Sequence, residues 1–405
     1  MTETPSLAGA RAHLDDLLEL LAALVDTNTH AENADGIARC HALLGPRIEA
    51  LGFDVERVTS SAPHPHDASR TLTRDHLVAT SRAAPHGTTS GRPTVLLMGH
   101  LDTVFPVDHA FQHLTRNGNE WRGPGVSDMK GGIVTALLTL ALLRDAGRLG
   151  DASFRLVLAS DEEQGSPTAL SVLTRAARGA DLALCFEAAR PCGGVVIARK
   201  GYASARLRVE GVSGHAGIAH DTGVNALSVL ARVIVDAEAL EGRYAGLSVS
   251  PGGKVLVSPP QVTSIPDRAA CELEWRFTHD ADGDAVLGDL RDIAMREERE
   301  SRARVHIDGG VECGPMVSTP RSERVLAHYV DAARALGMRV SGVTTAGVGD
   351  INLVSRMGAA CLDGVGPEGG AFHTDREFLL VDSIARRAAM NVAAIGACLT
   401  DLRAT

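Results

Sequence analysis

Four apolar runs, each leading to a histidine or an acid, constrain this chain more than anything else in it. Thr94-Val-Leu-Leu-Met98 leads to His100 and Asp102, and Phe154-Arg-Leu-Val-Leu-Ala159 leads to Asp161, Glu162 and Glu163. Leu182-Ala-Leu-Cys-Phe186 stops at Glu187, and Ala359-Ala-Cys-Leu362 precedes His373. Runs of this length read as buried strands. Helical stretches at 133–146, 167–178 and 350–356 alternate with them, which predicts an α/β domain with a mostly parallel sheet and helices on both faces. Ligands of such sheets bind outside the carboxyl ends of the strands. Three consecutive acids there are costly without a positive partner. Lys and Arg are scarce around 160–166, so a bound cation is the expected counter-charge. Neighbouring Glu162 and Glu163 project to different sides of an extended chain, so one can hold a metal while the other moves a proton. A solvated acidic turn explains most isolated triplets, but here the pattern recurs at the other strand ends. Asp128 sits just before a helix, beside Gly131 and Gly132, where its carboxylate can lie close to the backbone. Mixed imidazole and carboxylate ligation suits Zn²⁺, with Co²⁺ or Mn²⁺ able to substitute.

The pattern changes near residue 200. Tyr202 to Val209 alternates as a strand, 225–241 is helical, two strand-like runs end at Arg276-Phe277, 285–301 is helical and 303–307 is again a strand. That order predicts a small antiparallel sheet with two helices on one face. Strand and helix alternation returns after 311. The expected organisation is a catalytic domain of residues 1–200 and 311–405, interrupted by an α+β lid or dimerisation module at 201–310. Residues 52–58 alternate like a strand, and residues 60–94, rich in Pro, Ser, Thr, Gly and His apart from a short strand at 76–80, read as surface loops around a hairpin. His64-Pro-His66-Asp67 could ligate a metal, but solvent exposure is the expected state of such a loop.

A net charge of −10 without any long basic run argues against a nucleic-acid surface, and 3% aromatic content argues against base stacking. No stretch reads as a membrane span. Leu17 to Val25 is interrupted by Glu19 and lacks a basic flank, so it reads as a surface helix and not a signal peptide. The seven cysteines, odd in number and without a C-x-x-C pair, suit reduced thiols and a cytoplasmic location.

Gly99-His-Leu-Asp-Thr-Val104, Asp128-Met-Lys-Gly-Gly132, Asp161-Glu-Glu-Gln-Gly-Ser166, Phe186-Glu187, Gly214-His-Ala-Gly217 and Gly370-Ala-Phe-His-Thr-Asp375 occur in that order. Together they resemble the di-zinc metallopeptidase family of aminoacylase, acetylornithine deacetylase, succinyl-diaminopimelate desuccinylase and bacterial glutamate carboxypeptidase. The last branch fits best, given Asp-Glu-Glu-Gln-Gly-Ser, Phe-Glu and Ala198-Arg-Lys-Gly201. The resemblance implies that Asp128 bridges two zinc ions, one completed by His100 and Glu187, the other by Glu163 and His373. It implies that Asp102 holds the His100 ring in its metal-binding tautomer, and that Glu162 is the unligated acid and base. His215 would stabilise the tetrahedral oxyanion, commonly from a partner subunit, and Arg276 would bind the substrate carboxylate. Gly349 and Asp350 resemble a substrate-side loop. Thr263-Ser-Ile-Pro266 departs from the family's Asn-x-Val-Pro, replacing an amide with a shorter hydroxyl and leaving substrate preference open. The family pattern also implies a cis peptide after Asp128 and a homodimer through 201–310.

The expected activity is zinc-dependent hydrolysis of an amide bond next to a free carboxylate, on a small-molecule substrate. An N-acyl-amino-acid deacylase or dipeptidase without glutamate preference is the alternative within the class. A catalytically silent metal-binding dimerisation protein is the alternative outside it, and the presence of Glu162 beside all five ligand positions argues against that. Gly364-Val-Gly-Pro-Glu-Gly369 fits a dinucleotide fingerprint, but the next helix opens about ten residues too late, so a nicotinamide enzyme is rejected.

Overall fold

The computed structural model describes residues 7–64, 67–82 and 91–404. Pro65 and His66 of the possible ligand loop lie outside them. The chain divides into two compact units, Met1–Ile197 with Ser318–Thr344 and Gly349–Thr405, and Ala198–Val317 with Thr345–Val348.

In chain order, α1 (Leu7–Val25) and α2 (Ala34–Ala50) precede β1 (Phe53–His64), β2 (Asp67–Ser81) and β3 (Thr94–His100). Then come α3 (Gly131–Asp145), β4 (Ser153–Ala159), α4 (Ala169–Ala177) and β5 (Leu182–Cys185). The second unit holds β6 (Gly201–Glu210), α5 (Ala226–Glu238), β7 (Ser248–Ser258), β8 (Arg268–Phe277), α6 (Asp280–Ser301) and β9 (Arg304–Cys313). The chain closes with α7 (Pro320–Ala335), α8 (Asp350–Ser355), β10 (Ala360–Leu362) and α9 (Val381–Ala404).

The first unit is built on a six-stranded sheet in the order β1-β2-β4-β3-β5-β10. Its β4, β3, β5 and β10 are parallel, as their apolar runs predict, and the antiparallel pairings are β1 with β2 and β2 with β4. Register sets the level of the sheet's upper edge: Met98 stands opposite both Val157 and Cys185, so β3, β4 and β5 end together. Val95, Leu97, Leu156, Leu158, Leu182 and Leu184 join one hydrophobic cluster with α3 and α9. On the other face α4 packs on β4 and α8 on β3, β5 and β10. Every residue of α3 from Gly131 to Leu143 is buried, as expected of a helix apolar on all sides. Val126–Asp145 is in fact long and apolar enough to span a membrane, contrary to the sequence reading, but in this fold it is the covered core helix.

The hairpin expected here is present and longer than the strands read at 52–58 and 76–80, with β1 and β2 paired from Phe53 opposite Ser81 to His64 opposite Asp67. Polar side chains bond across the ladder, Thr59 to Asp75 at 2.7 Å and Ser61 with Thr73 at 2.8 Å. Beyond the alternating stretch 52–58, pairs of this kind extend the ribbon without apolar alternation.

The second unit is a four-stranded antiparallel sheet, β7-β8-β6-β9, with α5 and α6 on one face. Ala203, Ala205, Leu207 and Val209 alternate into its core and meet Leu273, Trp275, Val233 and Leu290. The other face is polar, and there Arg276 stands opposite Tyr202 and Glu272 opposite Arg206.

Helix α2 packs on β1 and β2 and buries His41, neither of whose ring nitrogens has a partner among the described residues. Burial, with help from the Arg57 charge, pushes this imidazole down to about 4. The unfolded chain therefore takes up a proton below pH 6.5 that the fold refuses, and stability falls as pH drops from 6.5 towards 4. His41→Leu is expected to remove up to about 3 kcal/mol of that loss. Urea unfolding of both proteins at pH 7, 6, 5 and 4 checks this, since the variant's advantage must grow with acidity.

Candidate metal centre

The common ending of β3, β4 and β5 brings His100, the Asp161–Glu163 segment and Glu187 to one edge of the sheet. Asp128 reaches the same place from the wide turn Val126–Lys130 that leads into α3, and the Asp128–Met129 peptide is cis, as the family pattern implies. Small residues make the approach possible. A Cβ on Gly132 would lie 1.9 Å from the Phe186 carbonyl oxygen, and one on Gly99 2.7 Å from the Met129 methyl. His373 arrives from a loop in which it and Ala371 both adopt positive φ, of 60° and 57°. Left-handed conformations in non-glycine residues cost about 1–2 kcal/mol each and concentrate at functional sites.

Ligand atoms of His100, Asp128 and Glu187 lie within 4.8 Å of one another, and so do those of Asp128, Glu163 and His373. Asp128 belongs to both groups through different oxygens. Its Oδ1 is 3.2 Å from His100 Nε2, while its Oδ2 is 3.4 Å from His373 Nε2. Glu187 Oε1 stands 3.4 Å from His100 Nε2, and Glu163 Oε2 stands 3.2 Å from His373 Nε2. His100 turns Nδ1 towards Asp102, 3.1 Å from its carbonyl and 3.5 Å from Oδ1, which leaves Nε2 facing the acids. Buried Asp102 also accepts the amide N–H groups of Glu162 at 3.1 Å and Glu163 at 2.9 Å, and so sets the turn that carries both glutamates. Glu162 joins neither group; its Oε2 lies 4.0 Å from His100 Nε2.

The electrostatics are those of crowded acids. Burial pushes Glu163 up to about 7 and holds Glu187 above its ordinary range. Glu162 is driven well above that range by burial, reinforced by Asp350, Glu187 and Glu163. Burial opposes ionisation of Asp128 too, but the two imidazoles overcome it and hold that carboxyl far below normal. In return Asp128 and Glu163 raise His373 to about 10. Among the described residues the ion pairs of these carboxylates are with the two imidazoles, and none is with Lys or Arg. A shared carboxylate flanked by two donor groups, each with one imidazole and one further carboxylate, fits a pair of divalent cations by the chemistry of its donors.

Asp350 is buried at the start of α8, and its Oδ1 accepts the Ser166 hydroxyl. Gly349 caps the same helix by donating its amide to Asn352. The remaining candidates belong to the second unit. Gly214 and His215 pair with Ile265 and Ser264, and Thr263 accepts the Ala216 amide at 2.8 Å, so His215 and Thr263 are neighbours. The exposed His215 ring accepts the Gly217 amide on Nδ1, which leaves its Nε2–H free to donate. Arg276, on the sheet's uncovered face, stacks 4.3 Å from the Tyr202 ring and pairs with Glu274 at 3.3 Å.

One important residue escaped the sequence reading. Buried Glu377 accepts three amides of the Asp128 turn, from Gly125 at 3.0 Å, Ser127 at 2.8 Å and Asp128 at 2.9 Å. The available signal was its place four residues after His373, on a segment with no acidic cluster to draw notice.

Carboxypeptidase G2 of Pseudomonas sp. (strain RS-16) is 26% identical over 387 residues, covering 92% of this chain and 86% of its own. The succinyl-diaminopimelate desuccinylase of Xanthomonas oryzae pv. oryzae is 25% identical over 385 residues, covering 91% and 95%. The structure of aminopeptidase PepT from Bacillus cereus superposes with a TM-score of 0.78 at 18% identity, over 97% of this chain and 99% of that one. With a match to Peptidase family M20/M25/M40 across residues 96–397, the chain belongs to that family and is a metallo-hydrolase acting on amide bonds.

Proposed function

We propose that this hydrolase uses two zinc ions to cleave an amide bond adjacent to a free carboxylate, as a glutamate-carboxypeptidase-like enzyme. The observation that carries the reading is the division of Asp128, one oxygen to each donor group. His100, Asp128 and Glu187 would hold one ion, and Asp128, Glu163 and His373 the other. When bound, the ions supply Lewis acidity, polarising the scissile carbonyl and making water nucleophilic near neutral pH. Co²⁺ or Mn²⁺ would serve the same donors.

Glu162, close to both groups but in neither, takes the proton of the attacking water and returns it to the leaving nitrogen. Burial raises its basicity above that of an ordinary carboxylate, the direction a proton shuttle needs. Asp102 fixes the His100 ring and the backbone of Glu162 and Glu163 together. His215 donates Nε2–H to the tetrahedral oxyanion, with the Thr263 hydroxyl beside it. The Arg276 guanidinium, kept planar against Tyr202, receives the substrate carboxylate in a two-pronged grip that lysine cannot reproduce. Gly349 and Asp350 act on the substrate side through the segment they anchor. The glutamate preference rests on the motifs Asp161-Glu-Glu-Gln-Gly-Ser166, Phe186-Glu187 and Ala198-Arg-Lys-Gly201, which resemble the glutamate-carboxypeptidase branch. Similarity to a desuccinylase, and Thr263 in place of an amide, support the second reading, a deacylase or dipeptidase without that preference. The proposal extends to a homodimer through 201–310 and to the cytoplasm, where thiols outside any disulfide, such as Cys40, Cys271, Cys361 and Cys398, persist.

Zinc added to the chelator-treated protein is expected to raise its melting temperature, by an amount equivalent to about 2.7 kcal/mol at a hundredfold excess over Kd. His100→Ala and His373→Ala should each bind one equivalent less, as elemental analysis after dialysis will show. Glu162→Gln should retain the full metal complement while kcat falls about 10²–10⁴-fold; near-normal turnover would remove Glu162 from the chemistry. Against a panel of N-acyl amino acids, Arg276→Lys should raise KM for N-acyl-glutamate at least tenfold. If the wild type hydrolyses neutral and acidic members of the panel equally well, the deacylase reading replaces the glutamate one.

A further inference from the structure

At the root of the Glu162–Glu163 turn lies a chain of hydrogen bonds that the mechanism above does not use. His76, Ser160, Asp161 and Thr168 are all buried, and none exceeds 1% exposure. The Ser160 amide donates to His76 Nδ1 at 3.2 Å, and His76 Nε2 lies 2.9 Å from Thr168 Oγ1. The Thr168 hydroxyl donates to Asp161 Oδ2 at 2.6 Å, and the Thr168 amide donates to the same oxygen at 2.7 Å. The Ala169 amide reaches Oδ1 at 3.3 Å.

Every proton in this chain has a fixed address. A backbone N–H only donates, so His76 Nδ1 carries a lone pair and the ring proton is on Nε2. A carboxylate only accepts, so the Thr168 hydroxyl points to Asp161 and must receive from His76. The directions read from the two ends agree. Burial holds His76 below its ordinary value, which keeps the ring neutral as this pattern needs. Asp161 in turn carries the catalytic turn, because its carbonyl accepts the amides of Gln164 at 3.2 Å and Ser166 at 2.8 Å. The turn is thus gripped by Asp102 at its amides and by the His76–Thr168–Asp161 chain at its root.

We propose that His76 and Thr168 are positioning residues for the reaction, fixing the rotation of Asp161 and through it the placement of the Glu162 carboxylate. The inference rests on the reading of Glu162 as the proton carrier. A displacement of the order of 1 Å in a reacting group costs up to about 10²-fold in rate, so loss of one bond in the chain is expected to cost about tenfold.

The direct test is Thr168→Val, which deletes the hydroxyl, keeps the shape and retains the amide bond to Asp161. In the zinc-loaded enzyme kcat should fall about tenfold with KM changed less than twofold and metal content unaltered, and Thr168→Ser should restore kcat to within about twofold. Independently of any variant or of activity, long-range ¹H–¹⁵N spectra of the metal-free wild type should show His76 neutral with the proton on Nε2. Full kcat in a folded Thr168→Val, or a loss confined to KM or to metal content, overturns the positioning role. A proton on Nδ1 overturns the chain itself. Thr168→Val at full rate beside an inactive Glu162→Gln sinks this inference alone, whereas a fully active Glu162→Gln sinks the reading it depends on and the inference with it.

Discussion

Repulsion among carboxylates at one sheet edge is the constraint that the rest of this structure serves. Asp102, Asp128, Glu162, Glu163 and Glu187 are brought together, and the ion pairs of this group among the described residues are with the His100 and His373 imidazoles, while burial makes every uncompensated charge dearer. The protein meets that cost with directed dipoles. Amides of the Asp128 turn go to Glu377, those of the glutamate turn go to Asp102, and the first amides of α4 go to Asp161. Among the described residues no Lys or Arg forms an ion pair with these acids, which leaves their oxygens available to divalent ions. A site held together by its own lysines would have no such demand.

Most of this architecture is legible in the sequence because the parallel strands are short, apolar and stop at chemistry. The runs at 94–98, 154–159 and 182–186 need no partner information to be recognised, and parallel pairing follows from the helices between them. Ligand identity at Asp128 was less exposed to pattern reading, because Asp128 sits on a turn before α3 and not at a strand end. The ordered set of motifs supplied it through resemblance.

What stayed hidden did so for physical reasons. The outer part of the β1–β2 ribbon, beyond residues 52–58, is held by polar pairs such as Ser61 with Thr73, so no hydrophobic period marks its length. Glu377 and His76 are single polar residues whose meaning depends on amides roughly 250 and 84 residues away. Local composition carries no trace of such partners. The apolar stretch Val126–Asp145 shows the converse, since length and hydropathy alone do not separate a core helix from a membrane span.

The grip of Glu377 on the Asp128 turn also has a bearing on synthesis. Three amides of that turn find their acceptor, and the Asp128 carboxylate finds its second imidazole, only in a stretch translated after the whole inserted unit. A nascent chain that has emerged only as far as Glu187 already displays its acids but lacks the piece that arranges them. Ion capture thus becomes a late event in biogenesis, and a product truncated before residue 370 is born without a working centre.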